Sequence, residues 1–241
     1  MEFNKLFKKD KNGIWYIDEK DVNISMFTFN DIVKSYGTRT HFYHIEGIDN
    51  YIIKDTTLYP LLFNKTRTKM LLKNFMMKQE LFDNIEFPLG YYRNNKFLKG
   101  IIIPYYKDST SIRKFIYLQP FESLKEYYNH ESDDIDNLIA MLLDILELIH
   151  KMYQENVIYL DIHTGNFLFY NNEIKVVDFE PGYVYFDSKN GKYYESIIKN
   201  YASLVRSILR RLKFGEIDFH PEDSFIDAEK NVKLLKKTLE R

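Results

Sequence analysis

Residues Tyr159–Glu180 read YLDIHTGNFLFYNNEIKVVDFE, and the spacing of four polar side chains in this stretch decides how the rest is read. Asp161, His163 and Asn166 fall within one short loop. Two apolar runs follow, separated by Asn171-Asn172, a strand–turn–strand pattern. Asp178 comes directly after the second run, twelve residues beyond Asn166. A hairpin thus carries an amide oxygen at one end and a carboxylate at the other, with a second carboxylate, Asp161, just upstream. Hard oxygen donors of this kind suit a divalent cation with phosphate, and a nearby carboxylate can orient a hydroxyl against it.

Upstream, Ser132-Asp133-Asp134 precedes Ile135, Leu138, Ile139, Leu142, Leu146 and Ile149 at helical spacing, with early acids suiting a helix N-terminus. This helix runs directly into the quoted segment. Tyr193 to Leu212 and Asp227 to Leu239 supply two further helical patterns, and a short helix capped by Ser109 or Ser111 continues through Phe115. The first part of the chain reads differently. Trp15-Tyr16-Ile17, the runs flanking Gly37 and the Gly47-Ile48-Asp49-Asn50 turn, and Tyr91 to Ile103 around Asn94-Asn95 predict strands and hairpins. One helix is expected between Leu58 and Asn84, with Met70, Leu71, Phe75, Met76 and Leu81 on or near one face. Strands first and helices later is the signature of an α+β chain.

The run ELIHKMYQENVIYLDIHTGNFLFYNNEIKVVDFE resembles the helix, catalytic loop and metal segment of the protein kinase-like superfamily along its whole length. The resemblance implies a bilobal fold: residues 1–103 as an antiparallel-sheet lobe for nucleotide, 104–106 as a hinge, and 107–241 as a truncated helical lobe. It also implies roles. Asp161 would orient the acceptor hydroxyl and receive its proton, while Asn166 and Asp178 would coordinate Mg2+. His163 stands where protein kinases often carry Lys, which is more like aminoglycoside, choline and lipopolysaccharide-sugar kinases. Lys54, at the end of Tyr51-Ile52-Ile53, matches the lysine that contacts the ATP phosphates. Glu80 is its expected partner, being the only acid between Asp55 and Asp83. Gly37 lies where a glycine-rich phosphate loop should be, and Arg39 or Thr40 is a second candidate for phosphate contact. In Ile103-Pro104-Tyr105-Tyr106, the Pro104 carbonyl and the Tyr106 N–H would meet the adenine edge.

Departures from the protein kinase pattern narrow the expectation. Tyr159-Leu160 replaces His-Arg before the catalytic aspartate, removing the arginine that reads a phosphorylated activation loop. Glu180 replaces the glycine after Asp-Phe, which should restrain the metal aspartate against large flips. Ala-Pro-Glu is absent downstream, so the subdomain that docks peptides is truncated.

Composition excludes several classes. The formal net charge of -1 lacks the basic excess of a nucleic-acid binder. There is no cysteine, hence no disulfide, thiolate metal site or cysteine nucleophile. No apolar stretch is long enough for a secretory signal or a membrane span, and the expectation is a cytosolic protein. The expected activity is ATP- and Mg2+-dependent transfer of the γ-phosphate to a hydroxyl, on a small molecule or sugar or on protein Ser or Thr. Two alternatives stay open: a nucleotide-binding pseudokinase scaffold, and nucleotidyl (AMP) transfer on the same fold.

Overall fold

The computed structural model describes residues 6–27, 41–57, 63–82, 85–118, 124, 133–186, 193–214, 217, 219 and 224–240. The described chain is α+β, with an antiparallel-rich sheet and five α-helices. It divides into two compact units: Met1–Lys107 with Phe179–Gly182, and Asp108–Asp178 with Tyr183–Arg241.

The first unit is built on a seven-stranded sheet: β1 (Lys8–Lys9), β2 (Trp15–Asp18), β3 (Ile24–Phe27), β4 (Phe42–Ile45), β5 (Ile48–Asp55), β6 (Gly90–Asn94) and β7 (Phe97–Pro104). Their spatial order is β1-β2-β6-β7-β5-β4-β3. The hairpin expected around Asn94-Asn95 is β6–β7, with Asn95 in the left-handed region at φ 51°. Every neighbouring pair is antiparallel except β2 and β6, which run parallel with Trp15 opposite Gly90. That pairing needs a residue without Cβ, because a Cβ on Gly90 would lie 2.2 Å from the Trp15 carbonyl oxygen. Arg93 and Asp18 lock it further along, Nε donating to Oδ1 at 2.6 Å and Nη2 to Oδ2 at 3.1 Å.

Successive strand residues face opposite sides. Ile53, Ile102, Ile17 and Tyr92 share a core with Leu6 and Phe7 on one side. Tyr91 and Ile14 pack on the other against Leu72 of helix α1 (Lys65–Lys78). Asn64 caps α1 by accepting from Arg67 N–H at 2.9 Å, and Thr68, Leu71, Leu72 and Phe75 form its buried stripe. Met70 and Leu81 were expected near that stripe but are exposed, at 62% and 45%. The reason is phase. Met70 falls outside the stripe on Thr68, Leu71, Leu72 and Phe75, and the helix tightens to a 3-10 turn at Gln79–Leu81 before Leu81 can rejoin it.

The second unit contains α2 (Ile112–Leu118), α3 (Asp134–Gln154), α4 (Tyr194–Arg211) and α5 (Phe225–Leu239). Around them lie β8 (Thr110–Ser111), β9 (Ile158–Tyr159), β10 (Phe167–Tyr170), β11 (Glu173–Val176) and β12 (Val184–Tyr185). Asp133 caps α3 by accepting from Asp136 N–H at 2.8 Å, and Ser111 caps α2 by accepting from Lys114 N–H at 3.1 Å. The apolar stripe of α3 is buried through Leu138, Leu142, Ile145 and Ile149. Tyr201 on α4 donates its hydroxyl to the Leu142 carbonyl at 2.7 Å, and His150 stacks on Phe225 of α5 at 4.3 Å. No helix among the described residues is long and apolar enough to cross a membrane.

One carboxylate in this frame sets a pH dependence. Burial, then the Glu147 carboxylate one turn along α3, pushes Asp144 up to about 6 from 3.8. Its folded form holds the proton more tightly, so its contribution to stability is complete below pH about 3.8 and is lost as pH rises through about 6. Asp144→Asn should therefore raise stability at pH 7 by on the order of 1 kcal/mol after allowance for solvent screening. At pH 4 the gain should nearly vanish. Denaturant midpoints of both proteins at the two pH values check this, and an equal shift at both would contradict it.

Candidate functional site

The loop before β10 is pinned at both ends. Tyr159 is buried, and its hydroxyl donates to the Val177 carbonyl at 2.9 Å. Leu160 N–H donates to the Tyr183 carbonyl at 2.9 Å, and the Leu160 carbonyl accepts from Asn200 Nδ2 of α4 at 2.8 Å. Downstream, β10 and β11 pair in register from Phe167↔Val176 to Tyr170↔Glu173. Asn171 and Asn172 close the turn at φ 51° and 61°, where asparagine is tolerated better than most residues. Thr164 is braced by Arg113 N–H, which donates to its carbonyl at 2.9 Å from the start of α2.

Within this frame Asp161 and Asn166 are brought into direct contact. Asn166 Nδ2 donates to Asp161 Oδ2 at 2.9 Å and to the Asp161 carbonyl at 3.0 Å. Asn166 is 4% exposed, and both its amide hydrogens are used in these bonds. Its Oδ1 accepts no hydrogen bond among the described residues. An amide oxygen held in place by its own N–H groups is a ready donor to a hard cation.

Val177 N–H donates to the Asn166 carbonyl at 2.9 Å, so Asp178 begins one residue beyond a direct link to Asn166. Asp178 itself takes φ 68°, in the left-handed region. That conformation falls on Asp178 and not on Glu180, so the side chain at 180 costs no backbone strain. His163 Nδ1 accepts from Gly165 N–H at 3.1 Å, and its Nε2 lies 3.6 Å from Asp161 Oδ1. A Cβ on Gly165 would crowd the same ring at 3.1 Å from Cε1. Among the described residues no three His, Asp or Glu side chains group to hold a metal ion by themselves. By donor chemistry, the residues that would hold a divalent cation in this segment are Asp178 and Asn166, through a carboxylate and an amide oxygen, with ligand oxygens completing the shell. The donor set fits magnesium, which binds through one or two carboxylates and phosphate oxygens rather than an all-protein cage.

The first unit carries the remaining candidates. Lys54, on β5 opposite Ile101, is 4% exposed and faces the α1 side of the sheet. Its ammonium pairs with Glu180, which belongs to this same unit. The expected partner, Glu80, is exposed in the 3-10 turn and makes no ion pair among the described residues. The helix supplies no alternative, since Lys65–Lys78 contains no acid. In the sequence Glu180 stands out as a replaced glycine, with no local sign that it partners Lys54. Its contact spans 126 positions along the chain, which no local pattern reveals. Glu180 is set in place by Phe179, buried against Phe75 of α1 and Phe87 at ring distances of 5.5 and 5.0 Å. Gly100 lets β7 pass close to the lysine, because a Cβ there would lie 2.6 Å from the Lys54 carbonyl oxygen. Pro104 ends β7, and Tyr106 is buried just beyond it. Gly37, Arg39 and Thr40 lie outside the described residues.

No protein-family model matches the chain, and no curated protein matches it significantly.

Proposed function

We propose that this protein is a compact member of the protein kinase-like superfamily, a cytosolic phosphotransferase that moves the γ-phosphate of ATP to a hydroxyl. The observation that carries the reading is the Asp161–Asn166 pair, two residues tied by 2.9 and 3.0 Å bonds with the Asn166 oxygen left for a cation. In this reading Asp161 orients the acceptor hydroxyl and accepts its proton, and His163 beside it limits how the carboxylate rotates. Asn166 and Asp178 hold magnesium, which when bound neutralises charge on the phosphate oxygens. Lys54 holds the phosphates, and Pro104 with Tyr106 meets the adenine edge through the backbone. The rate comes from positioning and charge complementarity rather than from a covalent intermediate.

The acceptor is a small molecule, a sugar or a protein Ser or Thr. His163, Glu180 and the absence of Ala-Pro-Glu after Asp-Phe-Glu speak for the first two. The test is incubation of the purified chain with Mg2+-ATP and a panel of sugars, amino alcohols and protein substrates. The expected product carries one phosphate. A product carrying AMP would instead support nucleotidyl transfer, and nucleotide binding without any product would support the scaffold.

A further inference from the structure

We infer that Glu180 is the positioning residue for the phosphate-binding Lys54, taking a role the resemblance assigns to a helix glutamate. The inference rests on the phosphotransfer reading above. Lys54 is a buried cation, its side chain 5% exposed, and Glu180 is the buried-side carboxylate that meets it, at 15%. An ammonium removed from water needs such a counter-charge, and the pair fixes where the three N–H donors point. Helix α1 has no acid to offer, and Glu80 is exposed in its 3-10 turn and makes no ion pair among the described residues. Phe179 anchors the segment in the aromatic cluster with Phe75 and Phe87, so Glu180 is held from the chain side as well as by its ion pair.

Because Glu180 sets the direction of the Lys54 ammonium, phosphate recognition is expected to depend on Glu180 more than adenine recognition does.

The experiment compares affinities of the full chain for Mg2+-ATP and for adenosine in wild type, Glu180→Gln and Glu180→Asp. Glu180→Gln should weaken ATP about tenfold and leave adenosine within about twofold, because a charge-assisted contact orienting the phosphate donor is lost. Equal weakening of both ligands marks a purely structural glutamate and overturns the inference. If Glu180→Gln fails to melt cooperatively, Glu180→Asp retains the buried charge. A loss of about threefold for ATP alone then supports positioning, and an unchanged ATP affinity overturns it. A larger ATP loss in Glu80→Gln than in the Glu180 variants also overturns it. Wild type that binds ATP while the Glu180 variants bind it equally well defeats this inference only. Wild type that binds neither ligand defeats it together with the phosphotransfer reading.

Discussion

Asp178→Asn should lower Mg2+-dependent phosphate transfer by at least about a thousandfold, because it removes the only carboxylate among the proposed metal ligands. The other donor, Asn166, is a neutral amide already committed to Asp161 through its N–H groups, so it cannot replace the lost charge. Asparagine is the informative substitution. Asp178 sits at φ 68°, a conformation asparagine adopts more readily than alanine, so the fold should survive and the effect should fall on the metal. Melting temperature and turnover measured side by side separate the two. A variant that melts like wild type and turns over ATP equally well would contradict the role given to Asp178.

The second large effect is expected at Asp161. Asp161→Asn keeps the shape of the side chain and a carbonyl oxygen able to accept from Asn166 Nδ2, now at 2.9 Å from Asp161 Oδ2. What it loses is the proposed proton acceptor for the hydroxyl. Turnover should fall by roughly 10²–10⁴, the usual range for a positioned general base. Affinity for Mg2+-ATP should stay within about threefold, since Asp161 is not assigned to phosphate or metal. The split between turnover and affinity is the diagnostic quantity. Turnover unchanged with affinity lost would move Asp161 out of the proton-transfer role and into nucleotide binding.

Much of the second unit was legible because its determinants are local. Asp133 and the apolar stripe of α3 lie within one helical segment, and Asn171-Asn172 closes a hairpin whose strands are four residues each. Asp161 and Asn166 are five positions apart, so their contact follows from one loop. The first unit was read less completely. Parallel pairing of β2 with β6 joins Trp15 to Gly90 and depends on a missing Cβ and on the Arg93–Asp18 fork, neither of which leaves a periodic trace. The phase of α1 is not legible at Met70, because Met and Leu mark burial only where the helix faces the sheet. Acids nearby in the sequence point to Glu80 as the partner of Lys54. Glu180 was legible as an oddity in Asp-Phe-Glu but not as a contact, since ion pairs between distant segments are chosen by packing. Here that packing is the burial of Phe179 between Phe75 and Phe87.

Glu180 changes how the departures from the protein kinase pattern are understood. Replacement of glycine after Asp-Phe reads in sequence as a loss of backbone freedom. In the fold the left-handed residue is Asp178, and position 180 is free to carry a functional side chain. Its carboxylate then compensates for a helix without acids, so the two departures answer each other.

The Asp161–Asn166–Asp178 constellation is proposed to transfer the γ-phosphate of ATP with the help of magnesium. The most direct measurement follows the fate of γ-labelled and α-labelled ATP incubated with wild type and with Asp178→Asn, with and without Mg2+. Label from the γ position, and not from the α position, is expected on an acceptor or on the chain itself, only with Mg2+ and only in wild type. Transfer of the α label, or γ-label transfer that persists in Asp178→Asn, would contradict it.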